Sequence, residues 1–556
     1  MAAVKKTVIE EKLSEIHRQE EEQQAKNLAE KLNLPYINLS LLPIDGDALL
    51  LINEETARKA NMAVINQAGK NLKIAVRDPQ NQLVNETLER LQKKGLTASL
   101  FIASEHSLKK ALDYYKKVVF SEKRVSGQVE ITSDLLAKLA KNLPRLSDIK
   151  QKIQEMEAAQ DEATHILEII IAGALQNDAS DSHLEGKEAG ALLRYRIDGT
   201  LHDVVFLSPS TYQLITSRIK LLSGMVLNIR EKAQDGRFTI TVDKTAIEVR
   251  VSIIPGPYGE NTVMRFLNPK SINLKLEDLG FRKDMLDFIR QEIQRPNGMI
   301  ITTGPTGSGK TTALYAFLRE VVRPEIKIIT LEDPIEYHLE GVTQTQVESE
   351  RGYTFAAGLR AILRQDPDVI LVGEIRDKET TEIAVQSALT GHIVFSTLHT
   401  NDAAGAIPRF IDLGANPTTL SAALIDVMAQ RLLRRVCPDC KKAYEPNSKE
   451  REKIENVLKN LPKTVMAPDI SKGYRLYRGQ GCPKCNETGY KGRIGVYELI
   501  PIDTEMEKLI TKSPSHAEVL ELAKKKEFVS MYQDGIIKAL NGITTLEELE
   551  DIVGKE

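Results

Sequence analysis

Gly304-Pro305-Thr306-Gly307-Ser308-Gly309-Lys310-Thr311 decides the reading of this chain. The apolar run Met299-Ile300-Ile301 precedes it, and a helix-period segment, Thr312-Ala313-Leu314-Tyr315-Ala316-Phe317-Leu318, follows. Strand, glycine-rich loop and helix are the context in which this motif binds phosphate. Glycines let backbone N–H groups turn inward around a polyphosphate, and the helix N-terminus adds partial positive charge. Lys310 is expected to reach the β- and γ-phosphates and the Thr311 hydroxyl to ligate Mg²⁺, with Thr312 closing the cradle. The loop predicts a nucleoside triphosphate ligand and leaves the use of its energy open.

Working outward, 556 residues exceed what one hydrophobic core supports, so about three or four domains are expected. The composition is that of a soluble globular protein, with 42% hydrophobic and 28% charged residues and a formal net charge of -3. That balance gives no support to a nucleic-acid motor, and no nucleic-acid partner is expected. No apolar run has the length of a membrane span, and Met1 to Glu22 is charged, without the apolar stretch of a signal peptide. A cytosolic protein, peripheral to any membrane it serves, is the expectation.

All four cysteines fall in two pairs, Cys437-Pro-Asp-Cys440 and Cys482-Pro-Lys-Cys485. Two such pairs brought together present four thiolates in a tetrahedron, which suits zinc. The stretch 441–481 between them is longer than in a common zinc ribbon, so the pairs must meet across a small subdomain.

Three further segments have NTPase chemistry. Val369-Ile370-Leu371-Val372-Gly373-Glu374 is an apolar strand ending in an acid. A carboxylate at such a strand end can hold the Mg²⁺ shell or polarise the attacking water. Ile328 to Leu331 leads into Glu332-Asp333-Pro334-Ile335-Glu336, which makes Glu332 and Glu336 candidates for the same work. A third apolar strand, Ile393 to Leu398, is framed by His392 and His399, either of which can sense a γ-phosphate or be an ordinary loop histidine.

Elsewhere the pattern suggests organisation. Residues 25–120 read as a small α/β module, with a strand at 72–76, a turn at Asp78-Pro79, a helix near 83–91 and a strand at 97–102. Residues 121–160 read as a partly helical linker. Ile166 to Leu175 is an apolar helix, and Asp198-Gly199 is a hairpin turn signal. Two alternating strands follow, one with Phe238, Ile240 and Val242 and one with Ile247, Val249, Val251 and Ile253. Glu248 and Arg250 fall on the face opposite that second apolar set. Thr545-x-x-Glu548 is a capping box for the last helix.

GPTGSGKTT, LEDPIEY, LRQDPDVILVGEIRD and TGHIVFSTLHTND occur in that order. The set resembles the secretion ATPase superfamily, on the side of its type II secretion and type IV pilus assembly ATPases. The acidic segment resembles the family's Asp box, Glu374 its atypical Walker B acid, and His392 with His399 its His box. ASDSHLEG at 179–186, LRYRIDG at 193–199, QDGR at 234–237 and VRVSIIPGPYGE at 249–260 extend the likeness upstream, and VMAQRLLRRVCPDC at 427–440 extends it downstream. LNLPYINL and IAVRDPQN resemble the N-terminal domain of the assembly ATPases. Some relatives bind cyclic di-GMP there through an Arg-Leu-Gly-led motif; residues 25–120 contain no Arg-Leu-Gly, so docking to a membrane partner is the reading.

The resemblance implies an α/β multidomain fold. Its expected parts are a charged arm (1–24), a docking domain (25–120), a linker (121–160), a PAS-like α+β domain (161–267) and a hinge (268–275). A RecA-like P-loop core (276–436), a tetracysteine zinc subdomain (437–497) and a C-terminal helical region (498–556) follow. It implies a homo-hexameric, Mg²⁺-dependent ATPase that acts on a polytopic inner-membrane platform protein. Arg194, Arg196, Arg237 and Arg250 match the family's arginine-bearing strands and are expected to neutralise phosphate charge. Pilus retraction ATPases generally lack the tetracysteine element and the extra N-terminal domain, which favours assembly. Retraction, DNA transfer and a nucleotide-gated ring without turnover are the alternatives.

Overall fold

The computed structural model describes residues 20–39, 46–49, 51–68, 71–93, 96–113, 128–131, 145–159, 163–242, 245–268, 274–470 and 473–554. The chain divides into two compact units, Met1–Leu267 and Asn268–Glu556. Most of the expected arm (1–19) and of the expected hinge (269–273) lies outside the described residues.

Among the described residues, the first unit holds two sheets. The smaller has three strands, Met62–Ala68, Asn71–Val76 and Thr97–Ile102, the first pair antiparallel and the second parallel. Helices Glu54–Ala60, Gln82–Lys93 and Glu105–Asp113 accompany it, the α/β module expected for 25–120. The larger sheet runs in the order Gln128–Ile131, Gln234–Val242, Thr245–Gly256, Gly259–Leu267, Asp181–Lys187, Gly190–Ile197, Thr200–Leu207. All its pairings are antiparallel except the first. Asp198 and Gly199 turn the last hairpin with φ of 49° and 89°, as a tight primed turn requires. The alternation read at 247–253 is real: Ile247, Val249, Val251 and Ile253 are buried.

Within the stretch read as a partly helical linker, the described residues 128–131 and 145–159 are structured. Gln128–Ile131 pairs with the large sheet, and helix Leu146–Ala158 buries Ile149, Ile153 and Met156 against helix Ala163–Gln176 and the sheet. Those three sit at i, i+4 and i+7, a one-sided stripe thin enough to be lost among charged neighbours.

The second unit is built on a seven-stranded sheet. Its strands are β1 (Gly298–Thr303), β2 (Ile328–Glu332), β3 (Thr343–Gln346), β4 (Val369–Val372), β5 (Ile393–Leu398), β6 (Leu424–Val436) and β7 (Tyr490–Pro501), in spatial order β3-β2-β4-β5-β1-β6-β7. Every pairing is parallel except β6 with β7. Strands β1, β2, β4 and β5 are buried along their whole length, which is why they read as unbroken apolar runs. Met299, Ile301, Ile370, Val372 and Val394 face one core, while Ile300, Ile328, Leu371 and Phe395 face another. The second core takes in helices Lys283–Glu292 and Lys310–Val321 and the first takes in helix Lys378–Leu389, so the sheet is covered on both sides.

Strand β7 spans residue 497, so the division expected between zinc subdomain and helical region falls inside a strand of the seven-stranded sheet. A third core joins Leu433 and Ile494 to Ile454, Leu476, Ile536 and Leu549, packing tetracysteine region and C-terminal helices together. The capping box at Thr545 forms only in half. Thr545 Oγ1 accepts the Glu548 N–H at 3.0 Å, but the Glu548 carboxylate turns to Arg434, taking its backbone N–H at 2.9 Å and its Nε at 2.8 Å. A charged partner outcompetes the N-cap N–H. Among the described residues no helix is long and apolar enough to cross a membrane.

Candidate nucleotide site and tetracysteine centre

The phosphate loop leaves the C-terminal end of β1 and enters helix Lys310–Val321. Gly304 has φ of 142°, and a Cβ there would lie 2.5 Å from the Gln430 carbonyl oxygen and 2.7 Å from Ser308 Oγ. Glycine is therefore required by backbone conformation and by space. Gln430, on β6, donates through Nε2 to the Ser308 carbonyl at 2.8 Å and holds the loop from behind. Thr303 Oγ1 takes the Thr400 N–H at 2.9 Å and lies 2.7 Å from Thr400 Oγ1, tying the loop's entry to the segment after β5. Lys310 Nζ folds back onto the carbonyls of Gly304 at 2.8 Å and Pro305 at 3.2 Å. Burial holds its amine below the ordinary lysine range, while the Glu374 carboxylate acts in the opposite sense.

Glu374 stands just past β4, two strands away from β1 in the sheet, and is 8% exposed. Its Oε2 meets Arg376 Nε at 2.5 Å and His399 Nε2 at 3.3 Å. Lys310, Glu374 and His399 thus gather at the C-terminal ends of neighbouring parallel strands, where α/β sheets bind ligands. Glu332 is also buried, at 4% exposure, but its oxygens are engaged. Thr330 Oγ1 donates at 2.5 Å, Gln344 Nε2 at 3.1 Å, and the Tyr315 hydroxyl donates to the other oxygen. Tyr315 belongs to the phosphate-loop helix, so Glu332 ties that helix to β2. Glu336 lies in the loop beyond β2.

His392 departs from expectation. It precedes β5, its Nδ1 lies 3.0 Å from the Ser387 carbonyl, and its own carbonyl accepts the Gly298 N–H at 3.1 Å. Gly298 opens β1, so His392 sits at the N-terminal edge of the sheet, roughly 20 Å of strand from His399. Within one chain it does not meet the phosphate loop. Two histidines seven residues apart cannot share one end of a parallel strand.

The four arginines singled out from the sequence all lie on the large sheet of the first unit. Cross-strand register places Arg196 opposite Asp181, Asp181 opposite Arg265, Arg265 opposite Arg250 and Arg250 opposite Arg237. Directly opposite residues share a face, so these form one row across five strands. Arg194 Nε bonds Asp203 at 2.8 Å, and Arg196 Nη1 bonds the Gly199 carbonyl at 2.9 Å. Arg237 is 77% exposed, with Glu248 Oε1 3.9 Å from it. Arg265, bonded to Asp181 at 2.8 Å, completes the row and was not singled out; only the pairing register marks it. Gln430 and Tyr315 escaped for the same reason, because their contacts are made between strands and helices remote in sequence.

The four cysteine sulfurs lie within 4.8 Å of one another. Cys437 and Cys482 are 3.9 Å apart, as are Cys440 and Cys485, and Cys482 and Cys485 are 3.7 Å apart. A tetrahedron with Zn–S bonds of about 2.3 Å has edges of about 3.8 Å. The spacing fits zinc and is far too long for disulfides. Burial pushes the Cys440 thiol up to about 12, whereas N–H donors from Cys482 and Gly489 outweigh burial at Cys485 and hold it below the usual thiol range.

Residues 157–551 match the profile of the family described as type II/IV secretion system protein, and residues 32–119 match the MshEN domain. The chain is 37% identical over 534 residues to the type IV pilus assembly ATPase PilB of Thermus thermophilus, covering 94% of this chain and 57% of that protein. It is 36% identical over 525 residues to the protein of the same name from Myxococcus xanthus, covering 94% of this chain and 89% of that one. The type II secretion system ATPase E of Vibrio cholerae is 41% identical over 446 residues, covering 79% of this chain and 84% of that protein. The buried parallel sheet, the phosphate loop with its opposed acid, and the clustered thiols agree with these matches. The chain belongs to the type II/IV secretion system protein family, the family of the type II secretion and type IV pilus assembly ATPases.

Proposed function

We propose that the chain is a cytosolic, Mg²⁺-dependent ATPase that acts as a homo-hexamer, peripheral to the inner membrane. It would drive assembly of a type IV pilus or a type II secretion pseudopilus through a polytopic platform protein. The observation that carries this reading is the meeting of Lys310, Glu374 and His399 at one end of the sheet, beside a phosphate loop of the required backbone shape. Lys310 leaves its loop carbonyls for the β- and γ-phosphates. The Thr311 hydroxyl would hold Mg²⁺, which when bound would supply charge neutralisation. Glu374 orients or activates the water for in-line attack, with His399 and Arg376 holding its carboxylate. Glu332 supports the same step by fixing helix Lys310–Val321 against β2. Of the four expected phosphate contacts, Arg237 is the most exposed. The expected domain divisions, adjusted at 121–160 and 497, belong to this reading.

The test is phosphate release from the purified chain with Mg-ATP, alongside a mass measurement and co-purification with the cytoplasmic domains of a platform protein. Turnover no higher than that of Lys310→Ala overturns the hydrolytic reading. Stimulation by DNA, steeply salt-dependent, turns the assignment toward DNA transfer.

A further inference from the structure

The segment 399–405 follows β5 and contains no regular structure of its own, yet it presents His399 to Glu374. It is held from several sides. Thr400 bonds Thr303 at the phosphate loop's entry and returns through its hydroxyl to the Asp402 carbonyl at 2.8 Å. Arg431 Nη2, on β6, lies 3.4 Å from the Asn401 carbonyl. The two remaining tethers come from far along the chain.

Glu498 lies on β7 and is 5% exposed. Its Oε1 accepts the Ala403 N–H at 2.8 Å, and its Oε2 accepts the Met531 N–H, the first residue of helix Met531–Leu540, at 3.2 Å. One buried carboxylate therefore spans the segment and a helix N-terminus, where negative charge is favoured. Without it, two buried N–H groups would lose their partner. His516 opens helix His516–Lys524, and its Nε2 lies 3.0 and 2.9 Å from the two oxygens of Asp402. Asp402 Oδ1 in turn accepts the Gly405 N–H at 2.8 Å, which sets the bend of the segment.

We propose that His516 and Glu498 are positioning residues for the hydrolytic step: they moor segment 399–405 to the C-terminal helices so that His399 stays against Glu374. A segment without helix or strand of its own takes much of its shape from its anchors, and small displacements at a reacting centre are costly. The C-terminal helices thereby gain leverage over turnover, since any force that shifts them moves the partner of Glu374. The proposal rests on the reading of Glu374 given above.

Steady-state hydrolysis by the full chain tests it. The His516–Asp402 pair is about half exposed, so His516→Ala should fold normally. It is expected to lower kcat about 5- to 10-fold with KM for ATP within about twofold. His516→Gln, whose amide can still donate to Asp402, should return kcat to within about twofold of native. Asp402→Asn combined with His516→Ala should be no slower than His516→Ala alone. Glu498→Gln, which places an amide donor against a backbone N–H, is the second variant and should act in the same direction. Native kcat in His516→Ala, or a loss that appears in KM alone, overturns the mooring. So does a His516→Gln variant as slow as His516→Ala at equal melting temperature. Glu374→Gln is run in parallel. If it turns over at the native rate, the role of Glu374 falls and the proposal falls with it; a slow Glu374→Gln beside a native His516→Ala removes the mooring alone.

Discussion

Replacing Cys440 by Ser removes one of four thiolates from a site whose geometry sets the size of the effect. The facing pairs, Cys437 with Cys482 and Cys440 with Cys485, are each 45 residues apart in sequence yet 3.9 Å apart in space. Closing a loop of that length in an unfolded chain costs about 13 cal/mol/K, or about 4 kcal/mol at 25 °C. The folded chain has already met that cost through the paired strands Lys441–Tyr444 and Leu476–Gly479 and through the bond from Cys437 N to Gly489 O at 2.9 Å. The folded site should then hold zinc about a thousandfold more tightly than the unfolded chain, and linkage returns the same free energy as stability. About 4 kcal/mol in a unit of this size corresponds to a fall of about 7 °C in melting temperature. The assay is zinc stoichiometry on protein grown with zinc, followed by thermal melts of native chain, chelated chain and Cys440→Ser. A native protein with reduced thiols and well under half an equivalent of zinc refutes the reasoning. So does a Cys440→Ser melt within about 2 °C of native.

Glu374→Gln should keep ATP binding, measured by a fluorescent nucleotide titration, and lose about 10²-fold or more in kcat. Tyr315→Phe removes the hydroxyl bonded to Glu332. It should cost about 1–2 kcal/mol in denaturant unfolding, because a buried carboxylate oxygen loses its donor. Burial, with the Glu292 carboxylate adding and Arg295 opposing, pushes Asp426 up to about 8. The folded state then keeps a proton that the unfolded chain releases above about pH 4, so this group's contribution is full below that pH. It falls as pH rises toward about 8 and is flat beyond. Asp426→Asn should flatten that decline in melting curves taken from pH 5 to 9, and an unchanged slope would remove Asp426 from the account.

The elements legible in the sequence are those whose signal is local. The phosphate loop, the apolar strands β1, β2, β4 and β5, the Asp198-Gly199 turn and the cysteine pairs each declare themselves within about ten residues. Helix Leu146–Ala158 was hidden because only Ile149, Ile153 and Met156 mark its buried face. Strand β7 was hidden because it closes an otherwise parallel sheet in the antiparallel sense, after a subdomain inserted between it and β6.

The sequence by itself determined the shape of the phosphate loop and the layered fold of the second unit, since loop shape and strand burial follow from residues adjacent in the chain. Only the tertiary structure decided which named side chains share a site. It parted His392 from His399 by the length of a strand and turned Glu332 toward Tyr315. It brought His399 to Glu374, and Glu498 and His516 to segment 399–405. Side-chain proximity across a sheet depends on strand order and register, and those are set by packing between segments tens to more than a hundred residues apart.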